Sequence, residues 1–204
     1  MKLLAAFILI IASLVLVARC GTGEDPAVDH SAHSEDMAME AADPAHNMSI
    51  YQVSSTWVTE DGETVTLGTL EGKTQVVAMV YTSCEVACPR IVASMKTIQK
   101  KTDSDAVGFV LISIDPERDT PEALKAYAEK MNMDDSAWTL LTGSPDNVLE
   151  LAALLGVRYR KMADGEFAHS NIITVLDAQG AIVYQQNGLG ADLTRETAEF
   201  VESL

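Results

Sequence analysis

The sequence predicts an α/β fold, on three observations. Residues 75–81 and 107–114 are unbroken apolar runs bounded by polar turns, as strands buried on both faces require. Between them, from Pro89 to about Lys101, Ile91, Val92, Met95 and Ile98 recur at helical spacing. Strand, helix and strand in that order imply a crossover connection and parallel pairing in the middle of a sheet. Two later apolar runs, at about 171–177 and 181–186, are joined through Asp177-Ala178-Gln179-Gly180, a hairpin turn that adds antiparallel strands.

The other elements follow in chain order. Residues 51–58 and 64–67 alternate apolar and polar around Glu60-Asp61-Gly62, which predicts an N-terminal hairpin. The first buried strand stops at Thr82-Ser83-Cys84. Asp115-Pro116 breaks the second, and Thr120-Pro121-Glu122 opens a helix to about Met131, with Thr120 as cap and Pro121 in the first turn. Ser144-Pro145-Asp146 opens another helix by the same chemistry, ended by Gly156. A strand is expected at about 157–162, and Asp192 or Thr194 caps a final helix. This order is the topology of a thioredoxin-like fold with an N-terminal β-hairpin extension and a closing β-hairpin. The sequence contains no evident internal repeat.

Three parts divide the chain: residues 1–20, 21–49 and 50–204. Lys2 and the apolar run from Leu3 to Ala18 form an export segment. As a helix the run would measure roughly 24 Å, short of a comfortable bilayer span. Val17-Ala18-Arg19-Cys20 resembles a bacterial lipoprotein processing box, with Cys20 as the acylated residue. Arg19 departs from the small residue usual there, and the alternative is an uncleaved anchor with Lys2 on the cytoplasmic side. Either way the body faces a compartment outside the cytoplasm, the periplasm or the cell exterior. Residues 21–49 are acidic and read as a flexible tether. The tether holds His30, His33, Met37, Met39, His46 and Met48, whose imidazoles and thioethers are ligands that copper accepts. Such a tract could collect copper, or its His and Met could be incidental. The remaining residues are enough for one domain with a proper core. A formal charge of −16 argues against nucleic acid, favours cationic partners or metal ions, and also serves solubility.

With Cys20 assigned to the export segment, Cys84 and Cys88 are the pair left in the folded part. They flank a strand-to-helix turn, where backbone N–H groups and the helix dipole stabilise thiolate. Three intervening residues distinguish the pair from the C-x-x-C of ordinary disulfide oxidoreductases. The spacing allows two sulfurs on one soft ion, Cu(I) or Zn(II), and it allows a disulfide. A structural disulfide, a redox couple and a metal site all remain open on the pair alone. A disulfide closing so small a loop would stabilise little.

Three segments together resemble the Sco/SenC family of copper-binding cytochrome c oxidase assembly proteins. The first is Tyr81-Thr82-Ser83-Cys84-Glu85-Val86-Ala87-Cys88-Pro89. The second is Ser113-Ile114-Asp115-Pro116-Glu117-Arg118-Asp119-Thr120-Pro121, and the third is His169-Ser170 leading into Ile172 and the residues after it. The resemblance covers residues 50–204. It implies a copper site, Cu(I) or Cu(II), on Cys84, Cys88 and His169, with Asp115 placed just behind these ligands. His169 is the one histidine of the domain, which agrees. Ala168 stands where the family commonly has aspartate, and Glu166 or Asp164 is the candidate substitute. Residues 162–167, with Gly165, are expected to form a loop that leaves His169 mobile, and Arg118 and Asp119 are expected to pair.

The implied function is a copper metallochaperone for the CuA centre on subunit II of a haem-copper oxidase. A thiol–disulfide oxidoreductase that reduces the oxidase cysteines would use the same pair without needing His169. Under either reading, other periplasmic copper carriers or thiol reductants are further candidate partners. A redox or copper sensor is a third reading. A thiol peroxidase of similar fold is a fourth, with Thr82 and Arg90 near the cysteines.

Overall fold

A computed structural model describes residues 49–102, 105–133 and 136–204. Cys20 and the tether residues His30, His33, Met37, Met39, His46 and Met48 lie outside these. Among the described residues no helix is long and apolar enough to cross a membrane.

The strands are β1 (Thr56–Thr59), β2 (Thr64–Thr66), β3 (Thr74–Val80), β4 (Val107–Ser113), β5 (Trp138–Gly143), β6 (Tyr159–Lys161), β7 (Phe167–His169), β8 (Ile172–Leu176) and β9 (Ile182–Asn187). The helices are α1 (Ala87–Gln99), α2 (Pro121–Lys130), α3 (Pro145–Leu154) and α4 (Ala191–Glu202). One seven-stranded sheet runs in the order β2-β1-β5-β4-β3-β8-β9, and β6 with β7 forms a separate two-stranded sheet. β3, β4 and β5 are parallel to one another, and β8, β9, β1 and β2 pair antiparallel around them. This is the expected thioredoxin-like arrangement.

The two apolar runs become the middle of that sheet. Val76 to Val80 and Phe109 to Ile112 are buried throughout, and α1 lays Ile91, Val92, Met95 and Ile98 against them. Complete burial of such side chains contributes about 1.5–3 kcal/mol each before entropy is subtracted. Thr120 and Ser144 cap α2 and α3 as read: each hydroxyl accepts from a backbone N–H three residues on, and Pro follows in the first turn. Gly156 closes α3 at φ 65°.

Four expectations change. A strand, β5, occupies the interval between α2 and α3, where the sequence reading has none. Its Trp-Thr-Leu-Leu-Thr segment is short and becomes a strand through its two neighbours, β4 on one side and β1 on the other. The N-terminal hairpin extension joins the edge of the main sheet through β5. Its first strand begins at Thr56, because Ile50–Gln52 form a 3-10 turn in which the Ser49 hydroxyl accepts from the Tyr51 N–H. Neither Asp192 nor Thr194 caps α4; the cap position is Gly190, without a side-chain bond, and both residues lie inside the helix. The Thr194 hydroxyl bonds instead to Ser94 on α1, joining the two helices. Finally, the expected loop at 162–167 ends one residue early, because Phe167 begins a strand that runs through His169, with consequences at the site.

Candidate metal centre

β3 ends at Val80 and delivers Tyr81 and the cysteine turn at the edge of the core. Cys84 is 8% exposed, and Cys88 sits fully buried in the first turn of α1. Both thiols are unbridged. The Cys88 N–H donates to Cys84 Sγ at 3.3 Å, the helix-terminus contact that stabilises a thiolate. Burial raises the Cys84 pKa. Hydrogen bonds from the Cys88 N–H and thiol, the Val86 N–H and the Tyr81 hydroxyl outweigh it and leave the pKa below the ordinary thiol value. Burial pushes the Cys88 thiol far up, and the Cys84 and Asp119 charges add to that. The pair is therefore unequal: Cys84 gives up its proton more readily than Cys88.

β7 brings in His169. Its backbone pairs with Tyr159 of β6, and its Nδ1 lies 3.1 Å from the Ser170 carbonyl. A carbonyl can only accept, so Nδ1 carries the proton and Nε2 is left with its lone pair. Nε2 points at Cys88 Sγ, 3.7 Å away. Burial lowers the His169 pKa, partly offset by the Ser170 carbonyl, so the ring stays neutral at pH 7. The ligand atoms of Cys84, Cys88 and His169 all lie within 4.8 Å of one another. Two sulfurs and a neutral imidazole nitrogen form a donor set that fits a soft ion such as Cu(I). Cys84 and His169 line an open pocket of about 600 Å³, with Tyr81, Val86, Glu166 and Asn171 on its walls, and Cys88 lies buried outside that lining. Val86 is 70% exposed at its rim.

His169 is thus held on a strand and by a ring hydrogen bond, just after the expected loop. The role expected of a carboxylate beside the histidine falls to the Ser170 carbonyl. Glu166 accepts from the Tyr81 hydroxyl at 3.0 Å, and Asp164 accepts from the Glu166 N–H. Asp115 is buried, but its partner is Arg118, in place of the expected Arg118–Asp119 pair. Asp119 turns inward instead. Its carboxylate accepts from the Thr82 N–H and hydroxyl and from the Ser113 hydroxyl, so it fastens the start of the cysteine turn to the end of β4. Burial raises the Asp119 pKa, the hydrogen bonds opposing it.

The sequence reading assigns no role to Tyr81 or this inward Asp119. The Tyr81 ring meets His169 edge-on, with centroids 5.8 Å apart, and packs against Phe167 at 5.3 Å. A signal existed for both: each lies inside a motif segment, beside a residue chosen for chemistry. Arg90 reaches toward the Leu189 carbonyl and lines a different groove, between α1 and α4. Arg90 is thus turned away from the cysteine pair, and the peroxidase reading loses the cation expected of it.

A thioredoxin-like protein with two cysteines on a strand-to-helix turn and a histidine brought over them is a dithiol or soft-metal protein by construction. The chain belongs to the SCO1/SenC family, whose model matches residues 45–201. It is 30% identical over 139 residues to the SCO1 protein homolog of Bacillus subtilis, an alignment covering 66% of this chain and 72% of that one. A copper-bound structure of ScoI from Bradyrhizobium japonicum is similar at 27% identity and TM-score 0.59, covering 73% of this chain and 96% of that one. A structure of BsSco, described through its disulfide switch as a member of the Sco family of cytochrome c oxidase assembly proteins, is similar at 27% identity. Its TM-score is 0.63, covering 72% of this chain and 89% of that one.

Proposed function

We propose that this chain carries copper as cargo on Cys84, Cys88 and His169 and delivers it to the CuA centre on subunit II of a cytochrome c oxidase. One observation carries the reading. Two sulfurs and a lone-pair-bearing Nε2 converge within 4.8 Å, with Cys84 and His169 lining an open pocket and the imidazole held neutral. The copper-bound relative supports the choice of metal, and the relative described as an oxidase assembly protein supports the destination. Asp115 acts from behind the ligands. An export segment ending in an acylated Cys20 would fix the protein to the membrane facing the periplasm or cell exterior, with the His/Met tether collecting copper.

The inequality of the cysteines favours a second reading, thiol–disulfide exchange. A depressed Cys84 pKa beside a protonated Cys88 equips the first sulfur to attack a partner's disulfide and the second to resolve it. The relative described through a disulfide switch supports this use of the pair. Exchange with oxidase cysteines or with a periplasmic thiol reductant needs no imidazole, so His169 discriminates. His169→Ala should lower copper affinity at least tenfold and alter the sulfur-to-copper absorption of the Cu(II) form, while reduction of a disulfide substrate continues. Copper affinity and spectrum unchanged by His169→Ala would remove the chaperone site as assigned.

A further inference from the structure

His169 rides on a hairpin that the main sheet does not hold. Among the described residues β6 and β7 pair with each other and with no strand of the seven-stranded sheet. Whatever fastens this hairpin therefore governs how far the imidazole stands from the sulfurs.

The segment between β4 and α2 supplies fastenings. Glu117 and Lys161 meet at 2.7 Å, but both are exposed at 71% and 46%, and such a pair contributes little. Arg118 is placed differently. Its Nε donates to the carboxylate of Asp115, which is 1% exposed. With the guanidinium anchored there, Nη2 donates to the Gly165 carbonyl at 2.7 Å, and Nη1 lies 4.0 Å from Glu166 Oε1. Gly165, at φ 85°, is the tight turn at the tip of the hairpin. Glu166 in turn accepts from Tyr81, whose ring stands edge-on to His169. A continuous set of contacts thus runs from a buried aspartate through one arginine to the hairpin tip and back to the imidazole.

We propose that Arg118 is a positioning residue that clamps the tip of the β6–β7 hairpin and so sets how fast His169 withdraws from Cys84 and Cys88 when the metal leaves. The proposal rests on the copper reading above. A guanidinium suits the task because its planar fork addresses a carboxylate and a carbonyl in two directions at once, which an ammonium cannot do.

The test uses the whole protein with Arg118→Ala, the milder Arg118→Lys, His169→Ala and the Arg118→Ala/His169→Ala double variant. In the metal-free protein, amide hydrogen exchange is followed at Met162 and Ser170, whose N–H groups bond across the hairpin, and at β3 and β4. Arg118→Ala should speed exchange at the hairpin about tenfold, the loss expected for a charged hydrogen bond, and leave β3 and β4 unchanged. With Cu(I) loaded, release to a competing chelator should speed up by a similar factor, and Arg118→Lys should move both readouts in the same direction. In the His169→Ala background Arg118→Ala should add nothing to the rate of copper release, because the clamp acts on the metal through the imidazole. Faster exchange throughout the sheet, equal acceleration of copper release in the His169→Ala background, or wild-type behaviour of both Arg118 variants would overturn the proposal. Copper release left unchanged by His169→Ala alone counts against the ligand assignment, whereas hairpin exchange in the metal-free protein judges the clamp separately.

Discussion

Three residues separate Cys84 from Cys88, and that interval places them in different chemistry. Cys84 receives the hydrogen bonds of the opening turn of α1, while Cys88 points into the core. The sign follows directly. Thiolate forms as pH rises through the pKa, so a depressed Cys84 pKa shifts its reactivity to lower pH, and a raised Cys88 pKa shifts its reactivity above the working range. Iodoacetamide on the metal-free native protein should therefore alkylate Cys84 first, with a rate midpoint below that of an ordinary thiol. Cys88 should react at an ordinary rate only after unfolding. Mass spectrometry of the first adduct decides, and equal labelling of the two would contradict the assignment. The sequence shows that a thiolate is favoured at this turn; it does not show which sulfur takes it. That depends on which side chain the helix turns inward. Asp115 and Asp119 make the same point. Both stand in one motif, yet the first takes the exposed arginine and the second the buried hydroxyls, because their directions are set by where β4 stops.

At the scale of elements, the legible features are those with a local cause. The caps of α2 and α3 and the buried runs of β3 and β4 lie where their residues put them, since propensity, capping and periodicity act within a few residues. β5 escapes such reading because its strand state comes from its flanks. Gly143, at its end, shows how tightly β1 closes over it. A Cβ there would stand 2.8 Å from Trp57 Cε3, on a ring that is fully buried. Gly143→Ala should therefore destabilise the fold by about 1–3 kcal/mol through overpacking, lowering the urea midpoint with the slope unchanged. An unchanged midpoint would mean that the β1–β5 junction yields more readily than its burial implies. β7 escaped for a related reason: Phe-Ala-His is too short to carry a pattern, and it becomes a strand by pairing with β6 and packing on Tyr81.

For the whole molecule, the acidic balance and the N-terminal tract make one further expectation. If residues 30–48 gather copper for the domain, deleting them should lower total copper bound per chain while the spectrum of the Cys84, Cys88 and His169 site persists. Metal analysis after dialysis reads this, and unchanged stoichiometry would assign the tract to tethering alone. The sequence by itself determined the alternation of strands and helices, the position of the cysteines at a strand-to-helix turn, and the motif segments that carry the family. These are properties of neighbouring residues. Tertiary structure decided the rest. His169 is 81 positions from Cys88 and comes within 3.7 Å of it only because the β6–β7 hairpin folds back over the end of β3. Burial then keeps the imidazole neutral, the Ser170 carbonyl orients its lone pair, and Arg118 ties the hairpin down. Distance, burial and direction between segments far apart in the chain are fixed by sheet order and packing, and no local pattern contains them.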